Sequence, residues 1–571
     1  MDKRGADVLI EVLAGYRTEF IFGVPGGQTL SMYDAIAQQD FIKHVLVRDE
    51  KAGALSAIGY SRATFTLGVC DATVGPGVAN LVPAVAEAYT GSTPIILLTS
   101  NVTSDIMGKG ASQELDHFAL FHPFVKSSIR PQNPDQIPVA MQKAFKLATS
   151  GRPGPVHVDL PQDILEGRLL RESNIMIENK YIHFPAYRPR PELGAISEMI
   201  KLIEKADSPI ILAGGGTIIS QAWEELRVFA ELIVAPVVTT LTGKGVISDD
   251  HPLSLGCVGR QGYRPTANKA LKEADLVIAL GTKLGQVSTN NWTLIDDSKA
   301  KLIHVDIDPQ ELNKNYKESI TVVADIKSTL QELINALKQI GKNKKREAYL
   351  ERIKRLRSEW ENIISSMFSD KTQKIKAVEL FKEFNELLPK KSVIVTGGSF
   401  AGAFSACLYN IKEVGPRYIA ARGLGGTETA LPLAIGAGLG IKDGSKVIAI
   451  SGDGGFGYHI AELETARRLN LPICICVLNN GSMAWMKLIQ KEKYDGRFIS
   501  SSYSEDLNYA KIAEAFGCKA FRVERKSEIR SSILEAIHSD ETFVIEVLID
   551  PEDCSSTHLK SDPLIKYELN N

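Results

Sequence analysis

The clearest candidates for a ligand-binding site in this sequence are an acidic and an amide side chain, each of which follows an apolar segment. Asp453 lies in a Gly-Asp-Gly-Gly stretch after the apolar run 447–450, and Asn480 follows a second apolar run, 473–478. Between the two runs, apolar residues recur at helical spacing until a Leu-Pro pair ends the pattern. The sequence therefore predicts a strand, turn, helix and strand in succession.

Asp453 and Asn480 are expected to reach the same ligand. Such a crossover is almost always right-handed and makes its strands parallel, so both side chains emerge at carboxyl ends of strands. Mg²⁺ takes about six oxygen ligands, and a carboxylate, an amide oxygen and the Ser482 carbonyl leave positions for a diphosphate and a water. Glycines that let the backbone approach such phosphates are Gly452, Gly454 and Gly455.

The spacing of this unit carries a family resemblance. Twenty-four residues lie between Gly454 and Asn479, and the unit resembles the thiamine diphosphate motif, whereas a Gly-Asp-Gly alone is usually an ordinary turn. The resemblance extends over essentially the whole chain to the acetolactate synthase-like, or pyruvate oxidase-like, family of thiamine diphosphate enzymes. It implies an α/β fold of three doubly wound parallel-sheet domains, namely pyrimidine-binding, central and diphosphate-binding domains.

The length of the chain and its polar, proline-containing stretches predict where the domains begin and end. At 571 residues the chain exceeds a single domain, and about 150 residues per domain suggests three or four. The predicted segments are the pyrimidine-binding domain 1–170, the central domain 190–340, a linker helix 341–369, the diphosphate-binding domain 370–550 and a C-terminal tail 551–571, which contains Cys554, His558 and Lys560.

Composition argues against several other functions. Hydrophobic residues make up 44% and charged residues 23% of the chain, as in soluble globular proteins. The net charge of −2 gives no reason to expect nucleic acid or membrane partners, and the interspersed glutamates of the basic stretch 342–360 favour a solvated linker helix. No signal-type segment or long apolar stretch occurs, which predicts a cytoplasmic location. The seven scattered cysteines form no Cys-x-x-Cys pair.

Glu50 is the residue expected to carry the chemistry. It follows the predicted strand 45–47 and opens a helix rich in alanine and glycine. In isolation, an acid in a first helical turn would merely gain ~0.3–1 kcal/mol from the helix dipole. By resemblance, Glu50 matches the family glutamate that promotes the imino form of the cofactor's pyrimidine, whose nitrogen removes the thiazolium C2 proton. This role requires a poorly solvated pocket, in which burial raises the pKa of a carboxyl group.

The resemblance places further residues near the cofactor or substrate. Pro25 and Gly26 match a segment beside the aminopyrimidine, and Gly77 belongs to a Gly-Pro-Gly loop that resembles the family's. Gln113 matches a Gln-Glu element near the substrate, the alternative being a surface glutamine. Asp71 is unusual for the family, and its position leaves open a pocket group or a solvated turn acid.

Other positions depart from the family pattern. Thr427 stands where a large apolar residue bends the cofactor, and the adjacent Glu428 is a second acid, for which we favour a solvent-facing orientation. Met483 is a further expected cofactor contact. Ile489 replaces a substrate-pocket tryptophan, while packing is favoured for Trp485.

The central domain gives little support for a flavin. Its triple glycine 214–216 lacks the Gly-x-Gly-x-x-Gly spacing. In flavin-containing relatives a Gly-x-Arg-Phe-type turn contacts the flavin, whereas Lys283 replaces the arginine here, which removes the planar guanidinium fork. FAD is therefore a possible but disfavoured cofactor.

The leading functional hypothesis is a thiamine diphosphate- and Mg²⁺-dependent enzyme that decarboxylates a 2-oxo acid and transfers the acyl-anion equivalent, specifically two pyruvates to 2-acetolactate. Alternatives are a 2-hydroxyacyl-CoA lyase or oxalyl-CoA decarboxylase, a benzoylformate-type decarboxylase, a sulfoacetaldehyde acetyltransferase and a cofactor-binding pseudoenzyme. The resemblance implies a homodimer or homotetramer whose active site lies at the subunit interface. A regulatory subunit is left open.

Overall fold

Three parallel β-sheets of six strands each form the framework of the described chain. The computed structural model describes residues 3–171, 175–260, 263–341, 345–368, 372–504, 506–551 and 553. All strand pairs are parallel, and helices connect the strands. The predicted class, α/β with three doubly wound parallel sheets, is confirmed.

The first sheet has the strand order β2-β1-β3-β4-β6-β5. Its strands are β1 Phe20–Val24, β2 Lys43–Leu46, β3 Gly68–Ala72, β4 Ile95–Asn101, β5 Ser128–Ile129 and β6 Val156–Pro161. The helices of this region are α1 Gly5–Gly15, α2 Leu30–Ala37, α3 Glu50–Thr64, α4 Pro76–Asn80, α5 Val82–Thr90, α6 His117–Phe121, α7 Ile137–Thr149 and α8 Gln162–Glu166.

The second sheet has the order β12-β11-β10-β7-β8-β9. Its strands are β7 Pro209–Ala213, β8 Val237–Thr239, β9 Ser254–Cys257, β10 Leu276–Leu280, β11 Lys301–Asp306 and β12 Ile320–Val323. Its helices are α9 Leu193–Lys205, α10 Gly215–Ile219, α11 Trp223–Ile233, α12 Pro265–Glu273 and α13 Ile326–Ile340.

The third sheet has the order β14-β13-β15-β16-β18-β17. Its strands are β13 Val393–Thr396, β14 Tyr418–Ala420, β15 Val447–Gly452, β16 Cys474–Asn479, β17 Lys519–Val523 and β18 Phe543–Leu548. The helices from residue 345 onwards are α14 Glu347–Met367, α15 Ala377–Leu387, α16 Ser399–Leu408, α17 Ala430–Gly440, α18 Asp453–Tyr458, α19 Glu462–Arg468, α20 Ala484–Lys493, α21 Tyr509–Ala515 and α22 Ile529–His538.

The described chain divides into two compact units. The first unit contains the described residues of 1–187, 421–444 and 459–473, and therefore the first sheet with α17 and α19. The second unit contains those of 188–420, 445–458 and 474–571, and therefore the second and third sheets. The domain boundaries expected from the sequence remain a prediction.

Helix α14 is more than a solvated linker. Its buried residues Ile353 and Leu356 belong to the hydrophobic core around the second sheet. Further along, Trp360, Ile364 and Met367 pack against the core around the third sheet. One face of this helix is thus covered by both cores of the second unit.

Helix α3 is held in the first unit by a close approach to α17. A Cβ on Gly59 would lie 2.0 Å from the Leu433 carbonyl oxygen, and one on Gly436 would lie 1.8 Å from the Ser56 carbonyl oxygen. The Ser56 hydroxyl also donates a hydrogen bond of 3.0 Å to the Pro432 carbonyl. Backbone contacts backbone along this pair, so these two positions cannot accept a side chain.

None of the helices in the described chain combines the length and apolar character that a bilayer crossing requires. The cysteines within the described ranges are buried thiols that form no disulfide. Nearly all of the predicted tail, including Cys554, His558 and Lys560, falls outside those ranges.

We expect Gly436→Ala to lower the thermal unfolding midpoint, because the new methyl group would meet the Ser56 carbonyl at 1.8 Å. Overpacking of this kind costs about 1–3 kcal/mol. The matched control is Gly194→Ala in α9, where a Cβ meets nothing within 4 Å, and helix propensity predicts a gain of up to about 1 kcal/mol. Circular dichroism melting curves measure both, and equal midpoints for the two variants would contradict the packing account.

Candidate active site

Asp453 lies where β15 ends and α18 begins. The sequence predicted a glycine turn here, but the helix begins at Asp453 itself. The side chain is buried, with 4% of its surface exposed. Its Oδ1 accepts a hydrogen bond from the Gly454 amide at 2.8 Å, and its Oδ2 accepts one from the Ser482 amide at 3.2 Å.

The carboxylate of Asp453 is poorly compensated by the protein itself. Burial raises the pKa of Asp453 to about 6, although backbone amides oppose the shift. Within the described ranges, no lysine or arginine pairs with it. Burying an unpaired charge is costly, whereas an oxygen-binding cation would offset that cost.

Asn480 and Ser482 lie beside this carboxylate on the loop after β16. The Asn480 Oδ1 accepts hydrogen bonds of 3.1 Å from both the amide and the hydroxyl of Ser482. Gly481 between them has a φ of +65°, which glycine adopts without strain. Since the Ser482 amide contacts both Asp453 and Asn480, the structure brings the three predicted metal ligands together.

Of the nearby glycines, Gly452 leaves room for a ligand. A Cβ on Gly452 would meet nothing within 4 Å, whereas one on Gly454 would lie 2.4 Å from the Tyr503 hydroxyl. Gly455 is buried in α18, and Met483 is 45% exposed beyond Ser482. The residues therefore fit a magnesium diphosphate group, because a carboxylate and an amide oxygen adjoin open space at a glycine.

A buried network that sequence reasoning missed supports this loop from below. The Asn479 Nδ2 donates to the Glu546 Oε1 at 2.7 Å, and the Asn479 Oδ1 accepts from the Gly481 amide at 3.0 Å. Glu546 is fully buried, and its Oε1 also accepts a hydrogen bond of 3.0 Å from the Arg522 guanidinium. Because β16 pairs with β18, this contact fixes the strand end that carries Asn480, and no local pattern signals it.

Glu50 is the first residue of α3 in the other unit. The preceding Asp49 caps the helix by accepting from the Lys51 amide. The Glu50 Oε2 accepts a hydrogen bond of 3.0 Å from Asn80, and a Cβ on Gly77 would lie 3.0 Å from the Glu50 Oε1. In the single chain Glu50 is half-buried, so the dry pocket that its predicted role requires needs a further cover.

The other predicted residues of this region lie on neighbouring loops. A Cβ on Gly26 would lie 2.4 Å from the Thr73 Cβ, and one on Gly75 would lie 2.6 Å from the Gln113 carbonyl oxygen. Gln113 is exposed and has a φ of +64°. Thr73 also lies within 3.3 Å of the Cβ position of Gly77, so the predicted loops converge around Glu50.

Two buried acids position the loops of this unit. The Glu462 Oε1 accepts from the Arg48 amide at 2.8 Å, just before Glu50, and burial raises the pKa of Glu462. Glu87 is 3% exposed and accepts from the amides of Gly423 and Leu424 at 3.0 and 2.7 Å. This second contact anchors the loop that leads to the predicted cofactor contact at 427.

At that loop, Thr427 is exposed and Glu428 is half-buried. Trp485 in the second unit lies 5.1 Å from the Phe400 ring, measured between centroids, and packs against the third-sheet core. Ile489 is half-buried on α20. Packing therefore accounts for Trp485.

Asp71 is not a solvated turn acid, because its side chain is fully buried. Its Oδ2 accepts from the Tyr33 hydroxyl at 2.9 Å, and its Oδ1 lies 2.9 Å from the His44 Nε2. A Cβ on Gly23 would lie 2.0 Å from the same Oδ1. Asp71 thus belongs to a buried hydrogen-bonded cluster beneath the loop that carries Pro25 and Gly26.

A second buried cluster has the residue types of a metal site, since ligand atoms of His117, His157 and Asp159 lie within 4.8 Å of one another. The Thr99 hydroxyl, however, lies 3.5, 2.7 and 3.0 Å from these three residues. Arg130 approaches the Asp159 Oδ2 at 2.6 Å. A hydroxyl and a guanidinium therefore occupy most of this cluster, while the His117 Nε2 is buried without a hydrogen-bond partner in the described part of the chain.

Burial lowers the pKa of His157 to about 3, which keeps its ring neutral. Burial alone would raise the pKa of Asp159, but the His117 hydrogen bond and the Arg130 charge hold it well below its ordinary range. We interpret the cluster as a buried hydrogen-bonded network that joins the start of α6 to β6.

The triple glycine of the second sheet serves close packing. A Cβ on Gly214 would lie 2.2 Å from the Gly281 carbonyl oxygen, and one on Gly216 would lie 2.7 Å from the Gly281 Cα. The glycines need no nucleotide to explain them, and the disfavoured FAD remains a prediction.

A buried acid lies at the end of β11 in the same sheet. Asp306 is 8% exposed and accepts a hydrogen bond of 2.9 Å from the Asp308 amide.

Comparison with protein families gives three matches along the chain. Residues 3–120 match the N-terminal TPP-binding domain of thiamine pyrophosphate enzymes, where TPP and thiamine diphosphate name the same compound. Residues 196–333 match the central domain of these enzymes, and residues 397–547 match their C-terminal TPP-binding domain.

Individual relatives are similar over nearly their whole length. A probable acetolactate synthase large subunit of Methanocaldococcus jannaschii is 38% identical over 560 residues, covering 96% of this chain and 92% of that protein. The probable large subunit of Methanococcus aeolicus is 38% identical, with 97% and 93% covered. The acetolactate synthase large subunit of Buchnera aphidicola subsp. Schizaphis graminum is 35% identical, with 93% and 92% covered.

We expect Asp306→Asn to stabilise the protein at pH 7.5, because burial raises the pKa of Asp306 to about 6. The unfolded chain ionises first as the pH rises from about 4 to about 6, so wild-type stability falls over that window and the penalty persists above it. Asparagine removes the charge and can still accept from the Asp308 amide.

The expected gain at pH 7.5 is ~1–3 kcal/mol, and it should shrink towards zero as the pH approaches 4. Thermal unfolding of both proteins across this pH range measures the difference. A gain that is independent of pH would contradict the ionisation argument.

Proposed function

Because this chain belongs to the thiamine pyrophosphate enzyme family, with acetolactate synthase large subunits among its relatives, we propose that it is an acetolactate synthase. In this reaction one pyruvate loses carbon dioxide, and its two-carbon acyl unit joins the ketone carbon of a second pyruvate to give 2-acetolactate. The family resemblance inferred from the motifs is confirmed, and thiamine diphosphate is the cofactor of this family.

The observation that carries the proposal is the Asp453 site. A buried carboxylate, which has no cationic partner in the part of the chain that the structure describes, adjoins an amide oxygen at the carboxyl ends of two parallel strands. Ligands of doubly wound sheets bind at such strand ends. In the proposal, Asp453, Asn480 and the Ser482 carbonyl hold Mg²⁺. The glycines proposed to admit the diphosphate are Gly452, Gly454 and Gly455.

Thiamine diphosphate, when bound, supplies the electron sink for decarboxylation. The proposed work of Glu50 is to hold a proton at its carboxyl group and hydrogen-bond the cofactor's pyrimidine. Asn80 orients that carboxyl through its 3.0 Å hydrogen bond, and Gly77 gives it space. Gln113 is the proposed substrate-side group, and the further proposed cofactor contacts are Pro25, Gly26, Thr427 and Met483.

Runner-up activities involve the same cofactor and other substrates. A 2-hydroxyacyl-CoA lyase, an oxalyl-CoA decarboxylase or a benzoylformate-type decarboxylase would suit a pocket altered at Thr427 and Ile489. A cofactor-binding pseudoenzyme is the remaining candidate, motivated by Thr427 and Glu428. The similarity to acetolactate synthase large subunits favours the first proposal.

We further propose a homodimer or homotetramer in which Glu50 and Asp453 of different subunits face one cofactor. The half-burial of Glu50 in the single chain supports this arrangement, since a second chain would complete its cover. The relatives are named large subunits, which supports a second, regulatory kind of subunit. The cytoplasmic location also stays a proposal.

We expect the purified chain, given pyruvate, thiamine diphosphate and Mg²⁺, to form acetolactate, measured as acetoin after acid treatment. Glu50→Gln preserves the shape but removes the acid, so turnover should fall by roughly 10² to 10⁴ while the fold survives. Circular dichroism and calorimetric uptake of the cofactor provide the controls. Retained turnover in Glu50→Gln would refute its role.

Asp453→Asn provides the complementary variant, because it removes the charge from the proposed metal ligand and leaves Glu50 intact. It should lose both turnover and measurable cofactor uptake, whereas Glu50→Gln should keep uptake. If the wild-type chain takes up the cofactor but forms no acetolactate, a panel of 2-oxo acids and acyl-CoA esters tests the alternatives.

A further inference from the structure

Residues 501–503, which follow α20, are hydrogen-bonded to residues 481–483 of the loop that carries the proposed metal ligands. The Tyr503 amide donates to the Gly481 carbonyl at 2.8 Å, and the Met483 amide donates to the Ser501 carbonyl at 3.0 Å. Ser482 and Ser502 form an isolated antiparallel bridge between these bonds. The segment is thereby fixed beside Ser482 by main-chain contacts that do not depend on the Tyr503 side chain.

These contacts direct the Tyr503 side chain to the glycine stretch. Its hydroxyl lies 2.4 Å from the position that a Cβ on Gly454 would occupy. Tyr503 is half-buried, and burial together with the Asp453 charge raises its pKa. A tyrosine hydroxyl has an ordinary pKa of about 10, so it is protonated at neutral pH and can donate a hydrogen bond.

The Tyr503 hydroxyl has no partner of its own. Among the described residues, no donor or acceptor makes a hydrogen bond with it. The hydroxyl is not among the buried polar atoms without a partner, so it is open to water, and a ligand oxygen can replace that water as its acceptor. The geometry of Gly454 admits this hydroxyl where any other residue would exclude it, so packing alone does not account for the tyrosine.

We infer that the Tyr503 hydroxyl donates a hydrogen bond to the diphosphate of the cofactor bound at the Asp453 site. This inference rests on the proposed function and extends it. Phosphate oxygens are strong acceptors, and the hydrogen bond would be charge-assisted. Tyr503 would thus add a neutral donor to a site whose described side chains otherwise offer oxygen atoms to the metal.

The test is calorimetric titration of thiamine diphosphate into the full chain at saturating Mg²⁺. Tyr503→Phe should weaken binding by about tenfold or more, the usual size of a charge-assisted hydrogen bond. Tyr494→Phe is the matched control, because Tyr494 is 47% exposed at the end of α20. This variant should bind thiamine diphosphate with the same affinity as the wild type. Equal thermal unfolding midpoints of the cofactor-free proteins check that each variant folds.

A second titration identifies the group that Tyr503 contacts. Inorganic pyrophosphate with Mg²⁺ should lose affinity in Tyr503→Phe by a similar factor. Unchanged thiamine diphosphate affinity in Tyr503→Phe, or a loss confined to thiamine diphosphate while pyrophosphate binds as before, would overturn the inference and leave the proposed function standing. Failure of the wild-type chain to bind thiamine diphosphate would instead overturn the proposed function.

Discussion

A negative charge held out of water at the end of β15 constrains the architecture of the second unit. Asp453 is 4% exposed and its partners are backbone amides. Such a charge is tolerated when a cation can join it. The parallel pairing of β15 with β16 places Asn480 beside it, and the contact between Asn479 and Glu546 fixes that strand end. The sheet thus places an amide oxygen beside a buried carboxylate whose charge a cation would offset.

In the first unit the acid Glu50 is held in a defined position but is only half-buried in the single chain. Glu50 opens α3, and α3 is locked against α17 by glycines too close for any side chain. The loops around Glu50 approach one another at Gly26, Gly75 and Gly77. Tight packing of α3 and close loops hold the carboxyl in place, while it stays half exposed in the single chain.

Much of this arrangement is predictable from local sequence. The apolar runs before Asp453 and Asn480 predict β15 and β16, because continuous apolar strands are typical of sheets covered on both faces. The clustering of Asp453, Asn480 and Ser482 then follows from parallel strands joined by a crossover. Helix α3 is likewise signalled by its run of small residues.

Other features depend on contacts between residues distant in sequence. The pairing of Glu546 with Asn479 and the burial of Asp71 against Tyr33 leave no periodic signal. The helical spacing of the apolar residues in α14 marks one face but does not show that two cores cover it. Alternation and helical spacing report which face of an element is apolar, but they do not report what covers it. For that reason the sequence predicts a solvated α14 and leaves two environments open for Asp71.

The central claim is that the Asp453 carboxylate and the Asn480 amide oxygen hold a divalent cation. A crystal structure of the protein grown with thiamine diphosphate and Mn²⁺ in place of Mg²⁺ tests it directly, since Mn²⁺ scatters anomalously. The account predicts an anomalous peak at about 2.0–2.3 Å from both oxygens. A peak elsewhere, or none at this position in crystals that contain the cofactor, would contradict it.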